Sequence, residues 1–349
     1  MHKFDYSFLK NMMVSSNLLS LSNIIIDLKN KLEIKEEENP KLFIKLKEKS
    51  RIESIKASNE IEGIYTTEKR FTELIEKNMK PLSHDEEEIL GYKNVYDLIT
   101  NNYEYLNINE ETILKFHSML LEARFGVEKG VYKKDDNLIV EYDKDGNRKI
   151  KFRPVLASDT EENMKELIIA YNIARNDSDI NKFLLIPCFI VDFLSIHPFS
   201  DGNGRTSRLL TILLLYKSGF KICKYISFEK VINKYKWNYY DALEESQKNW
   251  HDNNNDYTPF IINFIQTLYQ CYKELNEKFI DEKLEKKSKK EKVKIVVLES
   301  IVPISKMDIC DKLPDVSVTT VELVLKELVD TKIIRKIGTY KDAKYIKNI

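Results

Sequence analysis

Leu209, Leu210, Thr211, Ile212, Leu213, Leu214 and Leu215 follow one another without a charge. A helix of that composition has no polar face to turn towards water, so it must be buried. Upstream, Phe183 to Val191 forms a second apolar run, broken by Asp192 and too short to span a bilayer. The loop between them, residues 197–204, is therefore pinned between two core helices.

The rest of the chain agrees with a mainly helical architecture. Its 349 residues include nine glycines and eight prolines, about half the usual glycine share of roughly 7%. All-β folds with many tight turns need more. Apolar residues make up 42%, enough for a large core. Lys+Arg and Asp+Glu are both 56, so no overall field points to nucleic acid or a membrane surface. Cys188, Cys223, Cys271 and Cys310 are far apart and, with five scattered histidines, form neither a metal-ligand spacing nor a disulfide framework. The first residues lack a basic stretch followed by an apolar core. A soluble, cytoplasmic protein in a reducing compartment is expected.

Helix signals run through the first hundred residues. Ser83-His84-Asp85-Glu86 supplies a cap and an acidic first turn, Asn109 caps a helix through Leu121, and an earlier helix from Leu42 stops at Gly63. Between Gly130 and Pro154 the pattern changes to a β-hairpin, Leu138-Ile139-Val140 and Ile150-Lys151-Phe152 around a turn at Asp143 to Asn147. Helices then resume over 158–174, 183–197, 205–217, 235–250 and 259–284. Residues 281–294 are charge-dense and read as a linker or solvated helix end. Beyond them, helices over 294–302, 305–313 and 317–329 and a hairpin of 333–337 with 343–346 make a winged helix-turn-helix pattern.

The loop itself carries the chemistry. It reads His197-Pro198-Phe199-Ser200-Asp201-Gly202-Asn203-Gly204-Arg205-Thr206-Ser207-Arg208. Two glycines opening a helix let backbone N–H groups approach an anion, and the helix N-terminus adds partial positive charge. Arg205 and Arg208, three residues apart, can aim two guanidinium forks at one region. Asp201 offers a hard oxygen suited to Mg²⁺ shared with phosphates, and His197 is the nearby general base. Together they describe phosphoryl or nucleotidyl transfer.

The same string is similar to the Fic motif, HPF-x-[DE]-GNGR-x-x-R, at every defined position, and the chain resembles Fic-family protein adenylyltransferases over roughly residues 1–280. The resemblance implies a Fic helical core with a β-hairpin flap. It also implies transfer of AMP from Mg²⁺-ATP to a Ser, Thr or Tyr hydroxyl of a target protein. His197 would deprotonate that hydroxyl and Asp201 would hold the metal. Gly202, Asn203, Gly204, Arg205, Thr206, Ser207 and Arg208 would bind ATP phosphates. Tyr239, Tyr240 and Gln247 would border adenine, and Asn137, Leu138, Ile139 and Val140 would form the flap strand that aligns the target. Lys133 stands where the family commonly has arginine.

Ser58-Asn59-Glu60-Ile61-Glu62-Gly63 resembles the family's inhibitory motif, [ST]-x-x-x-E-[GN], in which the glutamate pairs with the second motif arginine, here Arg208. An autoinhibited enzyme is expected. A reverse reaction, in which Glu62 positions a water to remove AMP, is left open.

The expected division is an N-terminal helical region with the inhibitory helix (1–105), a catalytic core (106–280) and a winged-helix domain (290–349). Residues 283–349 carry 16 Lys+Arg against 10 Asp+Glu, which permits DNA binding. The presumed recognition helix from Ser317 has one lysine, two glutamates and no arginine, so a protein-interaction module is at least as well supported. ATP and an unidentified target protein are the expected partners, with no membrane. Self-AMPylation, a homo-oligomer and a nucleotide-sensing DNA-binding regulator stay open.

Overall fold

The computed structural model describes residues 2–124, 126–142, 148–339 and 342–348. Fourteen helices lie among them: α1 (Ser16–Glu38), α2 (Pro40–Ile61), α3 (Glu68–Glu76), α4 (His84–Asn102), α5 (Glu110–Leu120), α6 (Thr160–Asn176), α7 (Lys182–Ile196), α8 (Asn203–Lys217), α9 (Phe228–Lys234), α10 (Lys236–Gln247), α11 (Thr258–Leu284), α12 (Lys289–Leu298), α13 (Lys306–Lys312) and α14 (Val318–Asp330). Strands β1 (Ile139–Tyr142) and β2 (Arg148–Phe152) form an antiparallel hairpin with Val140 opposite Ile150. The turn expected at 143–147, with Gly146, lies outside the described residues. Strands β3 (Ile304–Ser305), β4 (Ile334–Ile337) and β5 (Lys344–Lys347) make an antiparallel sheet in the order β3-β5-β4. No helix among the described residues is long and apolar enough to cross a membrane.

Two compact units divide the chain. One takes residues 2–32 and 45–271, the other 33–44 and 272–348. In the first, α7 and α8 are buried over nearly their whole lengths, as their apolar composition requires. The caps at Ser83 and Asn109 accept from Glu86 and Thr112 backbone N–H groups, the standard way to satisfy a helix's first donors. Asp192, on buried α7, accepts hydrogen bonds from Tyr6, Trp250 and Tyr257, with His2 beside it.

Several boundaries differ from the sequence reading. Helices α3 and α9 are additional: each is short, yet Phe71, Leu74 and Ile75 in one and Phe228, Val231 and Ile232 in the other are buried. The charge-dense stretch 281–294 is helical except for 285–288, because Ser288 and Glu291 form a reciprocal capping box that starts α12 five residues early. In the second unit, Ile280, Val293, Val297, Ile309, Val321, Leu325 and Ile334 belong to one core.

Candidate active site

The chemistry-bearing loop starts where α7 ends. His197 adopts a left-handed conformation, φ 51°, and its backbone N–H donates to Phe193 O. Left-handed backbone is unfavourable for a residue with a Cβ, so the surroundings must hold it. Pro198 follows and cannot continue the helix. Gly202, φ 78°, then caps α8, which begins at Asn203, two residues before the expected Arg205. That earlier start puts Asn203 and Gly204 in the first turn, where backbone N–H groups have no partner within the helix.

The Asn203 side chain is engaged within the loop. Its Oδ1 accepts from Phe199 N (2.9 Å) and its Nδ2 donates to Phe199 O (2.7 Å), closing the loop on itself. Thr206 is fully buried, so its side chain faces the protein, and Ser207 donates to Gly204 O. Ser207 and Asn203 each line a cavity of the site, while Thr206 lines neither.

A second layer of residues, unmarked in the sequence, fixes the loop from outside. His117 on α5 stacks on Phe199 with ring centroids 3.8 Å apart. Its Nδ1 accepts from Gly130 N, which leaves the proton on Nε2 to donate to Asp201 O at 3.1 Å. Accepting at Nδ1 requires a neutral ring, and burial, foremost, pushes the His117 pKa down to about 4. Asn137, expected in the flap strand, lies before β1 and donates to Phe199 O instead. Leu138 also precedes the strand, leaving Ile139 and Val140 as its described start.

Two arginine clusters flank the loop. Arg208 Nε donates to Ser58 Oγ (2.8 Å), and its Nη2 donates to Ser58 O (2.9 Å) and Glu62 Oε1 (2.8 Å). Ser58 lies in the last turn of α2, while Glu62 is in the turn that Gly63 closes. Burial alone would lower the Arg208 pKa; the charge of Glu62 leads the effects that carry it above the ordinary arginine value. Arg205, also buried, pairs with Glu88 on α4. Glu88 in turn meets Arg124 (3.1 Å), and Arg124 pairs with Asp201. Of the two motif arginines, each therefore already holds a carboxylate.

Two cavities open on this framework. The larger, about 950 Å³, is lined by Ile139, Val140, Ile150 and Phe152 of the hairpin, by Tyr239, Tyr240 and Gln247 of α10, and by Trp250. Tyr239 is packed edge-on against Tyr240 and Phe260, and Gln247 donates to Ser195 Oγ. The smaller, about 310 Å³, is lined by Glu88, Ser200, Asp201, Gly202, Asn203 and Arg205. Glu62, His197 and Gly204 line both. A Cβ built on Gly204 would overlap Glu62 Oε1 and stand 3.3 Å from Arg208 Nη1. Glu62 thus lies against the α8 N-terminus, the natural seat of an anion.

No group of three or more His, Cys, Asp or Glu able to hold a metal by itself exists among the described residues. A magnesium site on Asp201 fits only as a shared one, with substrate phosphates completing the shell. His197 is held in the neutral form, the one with a nitrogen free to accept a proton: burial, then the charge of Lys133, pushes its pKa down to about 4, against the opposing pull of Leu194, Glu62 and Asp201.

Comparison with known proteins agrees with this geometry. Residues 107–215 match the Fic/DOC family. A Fido domain-containing protein of Dictyostelium discoideum is 33% identical over 94 residues, covering 27% of this chain and 59% of that protein. Protein adenylyltransferase Fic of Aedes aegypti is 42% identical over 67 residues, 19% of this chain and 11% of its own. The chain thus spans less than two thirds of either relative. Among solved structures, a Fic family protein from Desulfovibrio desulfuricans aligns over 97% of both chains with a TM-score of 0.63 at 19% identity. Fic-1 from C. elegans aligns over 75% of this chain and 73% of its own, with a TM-score of 0.54 at 17% identity. Those two likenesses show the fold.

Proposed function

We propose that this Fic-domain chain is a protein adenylyltransferase, moving AMP from Mg²⁺-ATP to a Ser, Thr or Tyr hydroxyl of a target protein, and that Glu62 holds it inactive. The observation that carries the reading is the position of Glu62: bound to Arg208, against Gly204, on the border of both cavities. A carboxylate there takes the place of an anionic ligand group.

In the reaction, the target hydroxyl oxygen attacks the α-phosphorus while the bond from that phosphorus to the bridging oxygen of pyrophosphate breaks. The hydroxyl proton passes to His197, which is neutral at physiological pH. The Asn203 and Gly204 backbone N–H groups and a released Arg208 neutralise developing charge. Positioning of this kind is most of what such a transfer needs. Asp201 would hold magnesium, which when bound supplies further charge neutralisation. Tyr239, Tyr240 and Gln247 would border the base, and β1 would align the target segment.

For the second unit we propose a winged-helix module: α12, α13 and α14 with the β3-β5-β4 sheet have that order. On α14, Val318 and Leu323 are exposed, while Glu322 and Glu327 pair with Lys306 and Lys294. Two exposed apolar side chains and two glutamates already paired with lysines favour a protein contact over base readout.

The test uses α-labelled ATP with wild type, Glu62→Gly and Glu62→Gly/His197→Ala. Glu62→Gly should label protein at least tenfold faster than wild type, and adding His197→Ala should abolish labelling. Equal labelling by wild type and Glu62→Gly would remove the regulatory role, and persistent transfer without His197 would remove the enzyme assignment.

A further inference from the structure

We infer that Lys133 is a positioning residue for the proposed reaction, holding the end of α7 by hydrogen bonds while its ammonium charge adds to the burial that disfavours a proton on His197. The inference rests on the adenylyltransferase reading only for its activity measurement.

Three backbone acceptors follow one another where α7 gives way to the loop: Ile196 O, Pro198 O and Phe199 O. All three are met by one short segment. Lys133 Nζ donates to Ile196 O (3.1 Å), Lys133 N donates to Pro198 O (2.9 Å), and Asn137 Nδ2 donates to Phe199 O (3.1 Å). Lys133 Nζ also donates to Asn137 Oδ1 (2.9 Å), tying the two side chains together. The residue bracketed by these bonds is His197.

The ammonium itself is the unusual part. Lys133 is 3% exposed, and its two side-chain acceptors are neutral. It belongs to no ion pair among the described residues. Burying a charge without a counterion is costly, and a methionine of similar length would fill the same space without that cost. Stability does not account for the charge, whereas two electrostatic effects do. A cation at the C-terminal end of α7 meets the negative end of the helix dipole. A cation beside His197 also disfavours the imidazolium form. Lys133 is the leading charge acting in that direction; Glu62 and Asp201 act in the other, and the Leu194 backbone joins them. Burial pushes the Lys133 pKa down to about 8, with Asp136 opposing. Both groups then hold their working protonation states at neutral pH.

The test places Lys133→Met and Lys133→Arg in the Glu62→Gly background. The His197 imidazole is titrated by nitrogen-detected NMR, the pH dependence of AMP transfer is recorded, and ATP affinity and thermal unfolding are measured alongside. Lys133→Met should raise the His197 midpoint and the acid limb of activity together by at least half a pH unit, and lower kcat more than tenfold with ATP affinity within threefold. Lys133→Arg, which keeps the charge, should return both midpoints to the parent values. An unmoved His197 titration in a folded Lys133→Met protein would overturn the inference, as would equal shifts in the Met and Arg variants. A parent without AMP transfer would count against the enzyme reading alone, because the titration still decides whether Lys133 governs His197.

Discussion

Gly204 stands where Glu62 and Arg208 meet the first turn of α8. Its missing side chain leaves room for Glu62 Oε1 in this structure, and under the proposed function for a phosphate. Gly204→Ala in the Glu62→Gly background should weaken ATP binding more than tenfold, about 1.4 kcal/mol. Thermal unfolding should change little, since alanine suits a helix better than glycine. Calorimetric titration checks it, and an unchanged affinity would show that the cradle lies elsewhere. At this scale the sequence was most informative where residues are contiguous. His197, Asp201, Gly202, Gly204 and Arg208 fall within twelve positions, and their chemistry could be read together. Glu88, His117 and Arg124 could not be found that way, and Lys133 stood out only through the family resemblance. Each reaches the loop from another element, at a sequence distance that no local pattern reports. Asn203 shows the converse limit: a residue inside the motif whose amide serves the loop's own backbone.

Among the elements, the hairpin and α10 both line the larger cavity, and Lys151 joins them. Lys151 on β2 meets Glu244 on α10 at 2.8 Å and Glu141 on β1 at 2.9 Å. Those groups are partly exposed, so the pair should add little to stability, roughly 0–1 kcal/mol. Its effect should be on cleft closure. Lys151→Met should raise the KM for a protein target several-fold with ATP affinity unchanged, as steady-state kinetics in the Glu62→Gly background would measure; an equal change in both would place Lys151 with the nucleotide. The hairpin was legible from two short apolar stretches around a turn-like sequence, and capped helices from Ser83 and Asn109. Helices α3 and α9 were not, because seven to nine residues give too few turns for a period to stand out. Start of α12 was hidden by lysines that composition assigns to a linker, although the Ser288–Glu291 capping box was present in the sequence.

For the whole molecule, three buried histidines set a pH response. His2, His117 and His197 each have a pKa of about 4 against an ordinary 6.5. Between those values the unfolded chain binds protons that the folded chain does not. Their stabilising contribution is therefore complete above about pH 6.5 and is lost as pH falls towards 4. Asp192 and Glu229 act oppositely, since burial raises both carboxyl pKa values, that of Asp192 to about 6, so they offset part of the loss. Three groups against two leave a net destabilisation by acid. The unfolding midpoint should fall by several degrees from pH 7.5 to pH 5 at constant ionic strength, and a flat profile would contradict it. His117→Gln, able to keep both ring hydrogen bonds, should make the slope shallower.

Because Glu62 is part of the same chain as Arg208, its contact obeys unimolecular rules. Dilution cannot dissociate it, and its effective concentration at the guanidinium is set by the length and stiffness of the turn after α2. An anionic ligand that competes for Arg208 faces a fixed opponent, so its own concentration tips the balance and the abundance of the protein does not.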